Sequence, residues 1–224
     1  MIDALYLSPH FDDAVFSCGG QIYDRTQRGE RVAVVTICAA PPPGELSPFA
    51  TSLHARWEAS GQGQFDRAAE DRAALTMLGA EPIHLDISDC IYRRAPNGEW
   101  LYASEQAIFG EFSPQEYPLV AAIAEKLAAI QPSAPDTEIT APFGVGGHVD
   151  HRLTYRIGRQ IEKSWRCRVR FYADYPYAEN VSIGEPVFIS VAARQAKIRA
   201  AQLYTSQRAF GNSSNSFEGQ DMSA

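Results

Sequence analysis

Near its start the chain carries the stretch Ala4-Leu5-Tyr6-Leu7-Ser8-Pro9-His10-Phe11-Asp12-Asp13. The apolar residues at 4–7 predict a buried strand, and the polar residues that follow predict a loop with one imidazole and two carboxylates. Open α/β sheets bind their ligands at the ends of such strands. The stretch therefore predicts the first strand of an α/β sheet and a functional loop at the end of that strand.

A second polar cluster, Gly146-Gly147-His148-Val149-Asp150-His151, follows the strand-like residues 138–142. The two clusters hold three of the five histidines, and they meet if their strands are neighbours. Zinc and similar ions favour imidazole and carboxylate ligands, and catalytic sites keep one position open for water. His10, Asp13 and one histidine of the second cluster would form such a site, with Asp12 left as a base. Taken singly, each cluster is also compatible with a turn, a helix cap or surface histidines.

The rest of the pattern alternates strands with helices. Continuous β-branched and apolar residues at 32–38 are typical of a strand buried on both faces of a parallel sheet. We predict strands at 4–7, 32–38, 82–87, 138–141 and 169–172, and helices at 13–28, 51–78, 117–130 and 151–165. Thr51 and Ser52 are the predicted caps of the second helix, and a break of that helix at 61–63 is the alternative to one continuous helix. The irregular stretch 89–114 is expected to form a lid or pocket wall. This order predicts an open α/β sheet, mostly parallel, with helices on both faces.

Composition favours one domain that spans residues 1–224, because 45% of the 224 residues are hydrophobic and 21% are charged. The net charge of -7 argues against a nucleic-acid partner, since phosphate binding depends on clustered Lys and Arg. Residues 1–5 include an acidic residue and only a short apolar run, so we expect no secretory signal, no membrane insertion and a cytoplasmic location. The polar segment 211–224 is expected to be a mobile tail.

The chain has four cysteines, at positions 18, 38, 90 and 167. They show no Cys-x-x-Cys spacing and lie in apolar surroundings. We therefore expect buried, reduced thiols that pack as small apolar side chains.

The first motif, Pro9-His10-Phe11-Asp12-Asp13, resembles the Pro-His-x-Asp-Asp signature of the LmbE/PIG-L family of metal-dependent N-deacetylases. The second motif, His148-Val149-Asp150-His151, resembles the His-x-Asp-His motif of the same family, and the order of the motifs agrees. Residues 67–70 and 84–86 are similar to the connecting helix and the following strand of the family. The likeness covers about residues 1–160 well. It implies a Rossmann-like domain that removes acetyl groups from the N-acetylated amino sugars of small glycoconjugates.

Carried over to this chain, the resemblance makes His10, Asp13 and His151 the ligands of a Zn²⁺ ion, and iron or cobalt also suits this ligand set. It makes Asp12 the general base. It makes His148 the group that stabilises the oxyanion, with Asp150 holding the His148 ring in place.

Four further residues are candidates for contact with the substrate: Arg67, Asp89, Asp174 and Tyr175. Arg67 lies in a charged helix, where an ion-paired surface is the alternative. Asp89, at the end of the third strand, would accept bonds from sugar hydroxyls or form a turn. The aromatic run 172–177 suits a sugar-binding wall, although it would also pack as core. Some members of the resembled family carry a tyrosine two positions before His148, where this chain has Gly146.

The leading hypothesis is a zinc-dependent hydrolase that removes the acetyl group from an N-acetylglucosamine-type sugar. The same ligands would serve a metal-dependent amidase that cleaves a thiol-sugar conjugate. A non-catalytic Rossmann-like module for a sugar or nucleotide is disfavoured, because no Gly-x-Gly-x-x-Gly follows the first strand.

Overall fold

The computed structural model describes residues 2–61, 66–130, 137–165 and 167–210. Five parallel strands form one sheet in the order β3-β2-β1-β4-β5. The strands are β1 (Ala4–Ser8), β2 (Val32–Thr36), β3 (Glu81–His84), β4 (Glu138–Pro142) and β5 (Arg168–Tyr172). The helices are α1 (Asp13–Gln27), α2 (Pro48–Ala59), α3 (Arg67–Met77), α4 (Glu105–Ile108), α5 (Tyr117–Ile130), α6 (Val149–Ser164) and α7 (Val191–Ala201). The predicted open α/β sheet with helices on both faces is confirmed, and every strand pair is parallel.

The central strand β1 is buried on both faces, which explains its unbroken apolar sequence. Side chains alternate between the two faces of a strand. Leu5 and Leu7 pack in a cluster with residues of α5 and α6, while Ala4 and Tyr6 pack in another with residues of α1, α3 and α7. Burial of a leucine of this kind contributes about 1.5–3 kcal/mol. β1 therefore joins the two helical layers into one core.

The loops that carry the two motifs lie side by side because β1 pairs with β4. Ala4 is opposite Glu138, and the register continues through Leu5 and Tyr6. From β1 the sheet extends to β2 on one side and to β4 on the other. Ligands of open α/β sheets bind where the strand order reverses in this way.

The helix predicted at 51–78 is two helices, α2 and α3. Ser47 rather than Thr51 caps α2, accepting a hydrogen bond from the Ala50 N–H (2.9 Å), and Pro48 fixes the first helical residue. Asp66 caps α3 in the same way through the Ala69 N–H (2.9 Å). The predicted start at Thr51 was therefore wrong, because the Ser47 side chain caps the helix four residues earlier, whereas the alternative of a break near 61–63 agrees with the two helices observed.

The helix α7 was not predicted. Its buried residues are alanines, which give only a weak hydrophobic pattern: Ala193, Ala196 and Ala200. The stretch 89–114 contains the short helix α4. Before this helix, the residues Cys90, Ile91 and Tyr102 of the stretch pack against Val149 at the start of α6. The stretch is thus built into the core beside the second motif, and its role as a pocket wall stays a prediction.

The four cysteines are free; three are buried and Cys167 is half-buried, as expected. In the described ranges, no helix has the length and apolarity needed to cross a membrane. The expectation of a mobile tail at 211–224 concerns residues outside the described ranges.

Candidate metal centre

The first motif is a turn held by its own side chains. The Ser8 hydroxyl donates to the His10 carbonyl (2.7 Å) and accepts from the Ala14 N–H (3.0 Å). Asp12 has a φ of 91°, the only positive φ of a non-glycine residue in the described ranges. Aspartate is one of the few residue types that tolerate this conformation. The Asp13 carboxylate folds back over the turn, where its Oδ2 accepts the His10 N–H (2.9 Å).

The second motif begins helix α6. His148 is the N-cap, and its Nδ1 accepts a hydrogen bond from the Asp150 N–H (3.2 Å). The rings of His148 and His151 lie 5.6 Å apart, and the His10 ring lies 5.1 Å from His148 and 5.6 Å from His151. The three imidazoles therefore form one cluster, so the two motifs meet as predicted.

Within this cluster, the predicted ligands offer three atoms that face one another. Asp13 Oδ2 lies 3.2 Å from His10 Nδ1 and 3.4 Å from His151 Nε2. One ligand atom from each of the three residues lies within 4.8 Å of the others. Two imidazole nitrogens and one carboxylate oxygen match the donor set of a catalytic zinc site, which takes three protein ligands. The residues present fit a divalent metal ion.

Two other groups of potential ligand atoms lie nearby, and both use Asp150 with a cysteine, either Cys38 or Cys90. These groups are poorer cation sites. Asp150 Oδ1 is 2.5 Å from the positively charged Arg93 Nη1, and burial raises the pKa of both thiols well above the ordinary value. A cation in either group would meet a guanidinium and a protonated thiol, so the triad of His10, Asp13 and His151 is the better site.

A buried carboxylate stands behind each ligand imidazole. The Asp174 Oδ1 lies 2.6 Å from His151 Nδ1, and its Oδ2 accepts the N–H groups of Gly144 (2.8 Å) and Val145 (3.1 Å). The Asp150 Oδ2 lies 3.0 Å from His10 Nε2. Partners of this kind fix the orientation of a metal-binding imidazole and raise its basicity.

Two predicted contacts differ from the observed ones. The Asp150 carboxylate contacts His10 and Arg93. Asp150 contacts the His148 ring through its backbone N–H, which donates to His148 Nδ1. The expected support of the His148 ring by the Asp150 carboxylate is therefore not formed. Asp174 is completely buried. It therefore lies behind His151 and does not line a pocket wall.

The two adjacent carboxyl groups of the first motif differ in proton affinity. Burial, together with the neighbouring Asp13 charge, raises the pKa of Asp12 to about 8. Burial acts in the same direction on Asp13, but His151 and His10 outweigh it and lower the pKa of Asp13 to about 2. Burial and the nearby His10 lower the pKa of His148 to about 4. Asp13 is thus ionised and His148 neutral at pH 7.

The other predicted substrate residues are Asp89, Arg67 and Tyr175, and each makes different contacts. Asp89 Oδ2 is 3.6 Å from His10 Nε2 and its side chain is 28% exposed, so it borders the site. The Arg67 guanidinium lies 5.8 Å from the centre of the Phe11 ring. Tyr175 contacts Phe16, with ring centres 6.2 Å apart, and its N–H donates to Ser17 on α1.

Aromatic rings outside the predicted site residues border the imidazole cluster. Tyr177 meets His151 edge to face, with ring centres 5.4 Å apart. The exposed Phe109 meets His148 at 5.3 Å and Tyr177 at 6.2 Å. A Cβ at Gly146 would lie 2.4 Å from the Tyr177 ring, so Tyr177 occupies the space beside the position where some members of the resembled family carry their tyrosine. The aromatic run 172–177 predicted that an aromatic residue borders the site, but the sequence did not identify Tyr177. The contacts of Tyr177 with His151 and Gly146 identify it.

Comparison with known proteins places this chain among deacetylase-related sequences. The model of the family described as PIG-L, GlcNAc-PI de-N-acetylase, matches residues 5–162. The 2'-N-acetylparomamine deacetylase of Niallia circulans is 27% identical over 191 residues, which cover 77% of this chain and 66% of that protein. The chain thus spans just under two thirds of the length of this curated relative.

Solved structures of deacetylases are also similar to this chain. The zinc-inhibited form of a teicoplanin deacetylase superimposes with a TM-score of 0.77 at 28% identity, covering 93% of this chain and 86% of the other. A complex of a deacetylase with teicoplanin has the same TM-score and identity, with 91% and 87% covered.

We predict that the purified protein binds about one divalent ion per chain, because one triad has the right donor set. His10→Ala and His151→Ala should each remove most of the bound metal, measured by elemental analysis after dialysis. His54→Ala is the matched control, since His54 on α2 bonds to the Tyr92 hydroxyl (2.5 Å) of the stretch 89–114 and not to the triad. Full occupancy in His151→Ala would show that the ligand set is incorrect.

We also predict that Gly146→Ala destabilises the protein more than Gly144→Ala does. Both glycines have a positive φ, 81° and 84°, so both substitutions strain the backbone. Only at Gly146 does the new Cβ clash with Tyr177, whereas at Gly144 the nearest atoms are 3.8 Å away. Thermal unfolding should show a lower Tm for Gly146→Ala, and Tyr177→Ala in the same chain should recover part of the loss. Equal Tm values for the two glycine variants would contradict the packing described here.

Proposed function

The chain belongs to the PIG-L family, and from that premise we propose that it is a metal-dependent hydrolase that removes the acetyl group from an N-acetylated amino sugar. One observation supports this proposal above the others. His10 Nδ1, Asp13 Oδ2 and His151 Nε2 converge at the ends of β1 and β4, and both imidazoles are backed by buried carboxylates. This arrangement suits a catalytic metal, for which we propose zinc.

A divalent ion held by the triad would polarise the amide carbonyl and lower the pKa of water toward about 7. The protein supplies the proton transfers. Asp12 precedes the proposed ligand Asp13, and its side chain forms no capping hydrogen bond with α1. Its raised pKa leaves this carboxyl largely protonated at pH 7 without a cation, and a divalent ion held by the triad would favour its ionised form. We assign ionised Asp12 as the general base that takes a proton from the attacking water and returns a proton to the departing amine. The balanced products are acetate and the free amino sugar.

His148 is suited to stabilise the oxyanion that forms on the acetyl carbonyl. Its Nδ1 accepts the Asp150 N–H, so the proton of the neutral ring resides on Nε2. The ring is next to both ligand imidazoles. A neutral imidazole can then donate one hydrogen bond from Nε2 to the developing negative charge.

The surroundings of the centre suit a sugar. Phe109 and Tyr177 offer apolar faces next to His148 and His151, and Asp89 offers a carboxylate at the rim. Sugars combine apolar faces with hydroxyl rims. The similar proteins are named as deacetylases of 2'-N-acetylparomamine and of teicoplanin biosynthesis, which supports an N-acetylglucosamine-type group on a larger acceptor as the substrate class.

We predict that Asp12→Asn keeps the bound metal and loses turnover by about two to four orders of magnitude, because an amide cannot accept the proton. Asparagine also tolerates a positive φ, so the turn should be preserved. The measurement is acetate release from an N-acetylglucosamine glycoside, with metal content determined on the same sample. Asp66→Asn, which keeps a helix cap on α3, is the control for the chemical change alone.

A near-normal rate in Asp12→Asn would refute its role as base. Cleavage of a thiol-sugar amide without acetate release from any N-acetyl sugar would favour the amidase hypothesis instead.

His148→Ala should lower kcat about a hundredfold while KM changes little, because the lost hydrogen bond acts on the developing charge. The substitution also removes the cap of α6. His148→Asn is therefore the matched variant, since asparagine is a good N-cap but cannot reproduce the reach of the imidazole. A similar loss in both variants, followed by steady-state kinetics, supports the oxyanion role. Recovery of full kcat in His148→Asn would assign His148 to capping alone.

A further inference from the structure

A buried arginine, Arg93, contacts Asp150, and Asp150 in turn contacts the candidate ligand His10. Arg93 is 8% exposed and lies between two buried carboxylates. Its Nη1 is 2.5 Å from Asp150 Oδ1 and donates to the Ser88 carbonyl (3.1 Å). Its Nε forms an ion pair with Glu116 Oε1. The sequence motifs gave no signal for this residue, because it lies in the irregular stretch after β3.

The far side of this arginine is itself fixed. Glu116 is 3% exposed, and its Oε2 accepts the Tyr102 hydroxyl (2.5 Å). The same tyrosine oxygen accepts the Ser113 N–H (3.0 Å). In the described part of the chain, Glu116 Oε1 and Asp150 Oδ1 are buried and form no hydrogen bond, and each forms an ion pair with Arg93. Both carboxylate oxygens therefore depend on the charge of Arg93.

The near side leads to the metal centre. Asp150 is completely buried, and its Oδ2 contacts both His10 Nε2 (3.0 Å) and the Cys90 N–H (3.0 Å). The opposite nitrogen of the same ring, His10 Nδ1, faces Asp13. Arg93 Nη1 thus contacts one oxygen of the Asp150 carboxylate, while the other oxygen contacts the ligand imidazole.

The two ligand histidines are anchored differently. Behind His151, Asp174 is held by the backbone N–H groups of Gly144 and Val145, which no side-chain substitution removes. Behind His10, Asp150 depends on a side chain, Arg93, for its Oδ1. A buried carboxylate left without a charged partner is strongly unfavourable, and it would reorient or take up a proton.

We propose that Arg93 is a positioning residue for the metal: its guanidinium bridges Glu116 and Asp150 and so fixes the Asp150 carboxylate, which in turn holds the His10 ring in its ligand orientation. This inference rests on the metal centre of the proposed function but not on the substrate. Loss of an outer partner of a metal ligand typically weakens metal affinity 10- to 100-fold. We expect metal affinity to fall by the same factor when the Arg93 guanidinium is removed.

The test is a Co²⁺ titration of the full chain after metal removal, which yields a Kd and the visible absorption spectrum of the bound ion. Arg93→Met should weaken the Kd about 10- to 100-fold and change the spectrum, because the His10 ligand is displaced. Arg94→Met is the matched control: Arg94 pairs with Glu45 (2.7 Å) and stacks on Trp100 (3.6 Å), away from Asp150. It should bind Co²⁺ as the unaltered protein does.

Two variants keep the test decisive. Arg93→Lys retains the charge and guards against misfolding of Arg93→Met, and it should still weaken Co²⁺ binding, because a compact ammonium cannot bridge Glu116 and Asp150 as the planar guanidinium does. Arg93→Met combined with Asp150→Asn should bind no more weakly than Asp150→Asn alone, because both changes break the same path.

Unaltered Kd and spectrum in Arg93→Lys, or losses that multiply in the double variant, would overturn the positioning role. Absence of Co²⁺ binding in the unaltered protein would overturn the metal centre as well. Tight Co²⁺ binding with the expected loss in Arg93→Met, but without acetate release from any sugar, would sustain this inference and refute the proposed substrate.

Discussion

β1 and β4 run side by side in the same direction, and this pairing decides where each candidate ligand lies. Parallel strands end at the same edge of a sheet, so the turn after β1 and the helix start after β4 are brought together. His10 and Asp13 come from the first, and His151 comes from the second. The apolar residues on both faces of β1 hold this edge in place by joining the two helical layers.

Sequence reasoning indicated the candidate ligands because their chemistry and their position at strand ends agree. Two clusters of imidazole and carboxylate groups at strand ends pointed to His10, Asp13 and one histidine of the second motif, and the family resemblance selected His151. The parallel sheet followed from continuous apolar runs such as 32–38. These signals are local, and each is carried by a few adjacent residues.

The supporting residues could not be found in this way, because their roles arise from contacts between distant segments. Asp174 looked like part of an aromatic wall, and only the folded chain places it behind His151. Arg93 lies in an irregular stretch whose path no periodicity predicts. Helix α7 was not predicted because its buried residues are alanines, whose small side chains give only a weak apolar pattern. A second carboxylate behind each histidine is nevertheless a general expectation for metal sites, which gives a reason to search for such acids once the ligands are known.

The long separation between the partners in the site has a consequence for how the molecule folds. His10 and Asp150 are 140 positions apart in the chain, so their contact requires closure of a loop that includes most of the sheet. Contacts between such distant positions form slowly and late. A partly folded chain with only the first β-α-β unit would hold Asp13 beside His10 but lack the second imidazole and both supporting carboxylates. Capture of a metal ion would thus report completion of the tertiary structure during folding, and it would not guide the early steps.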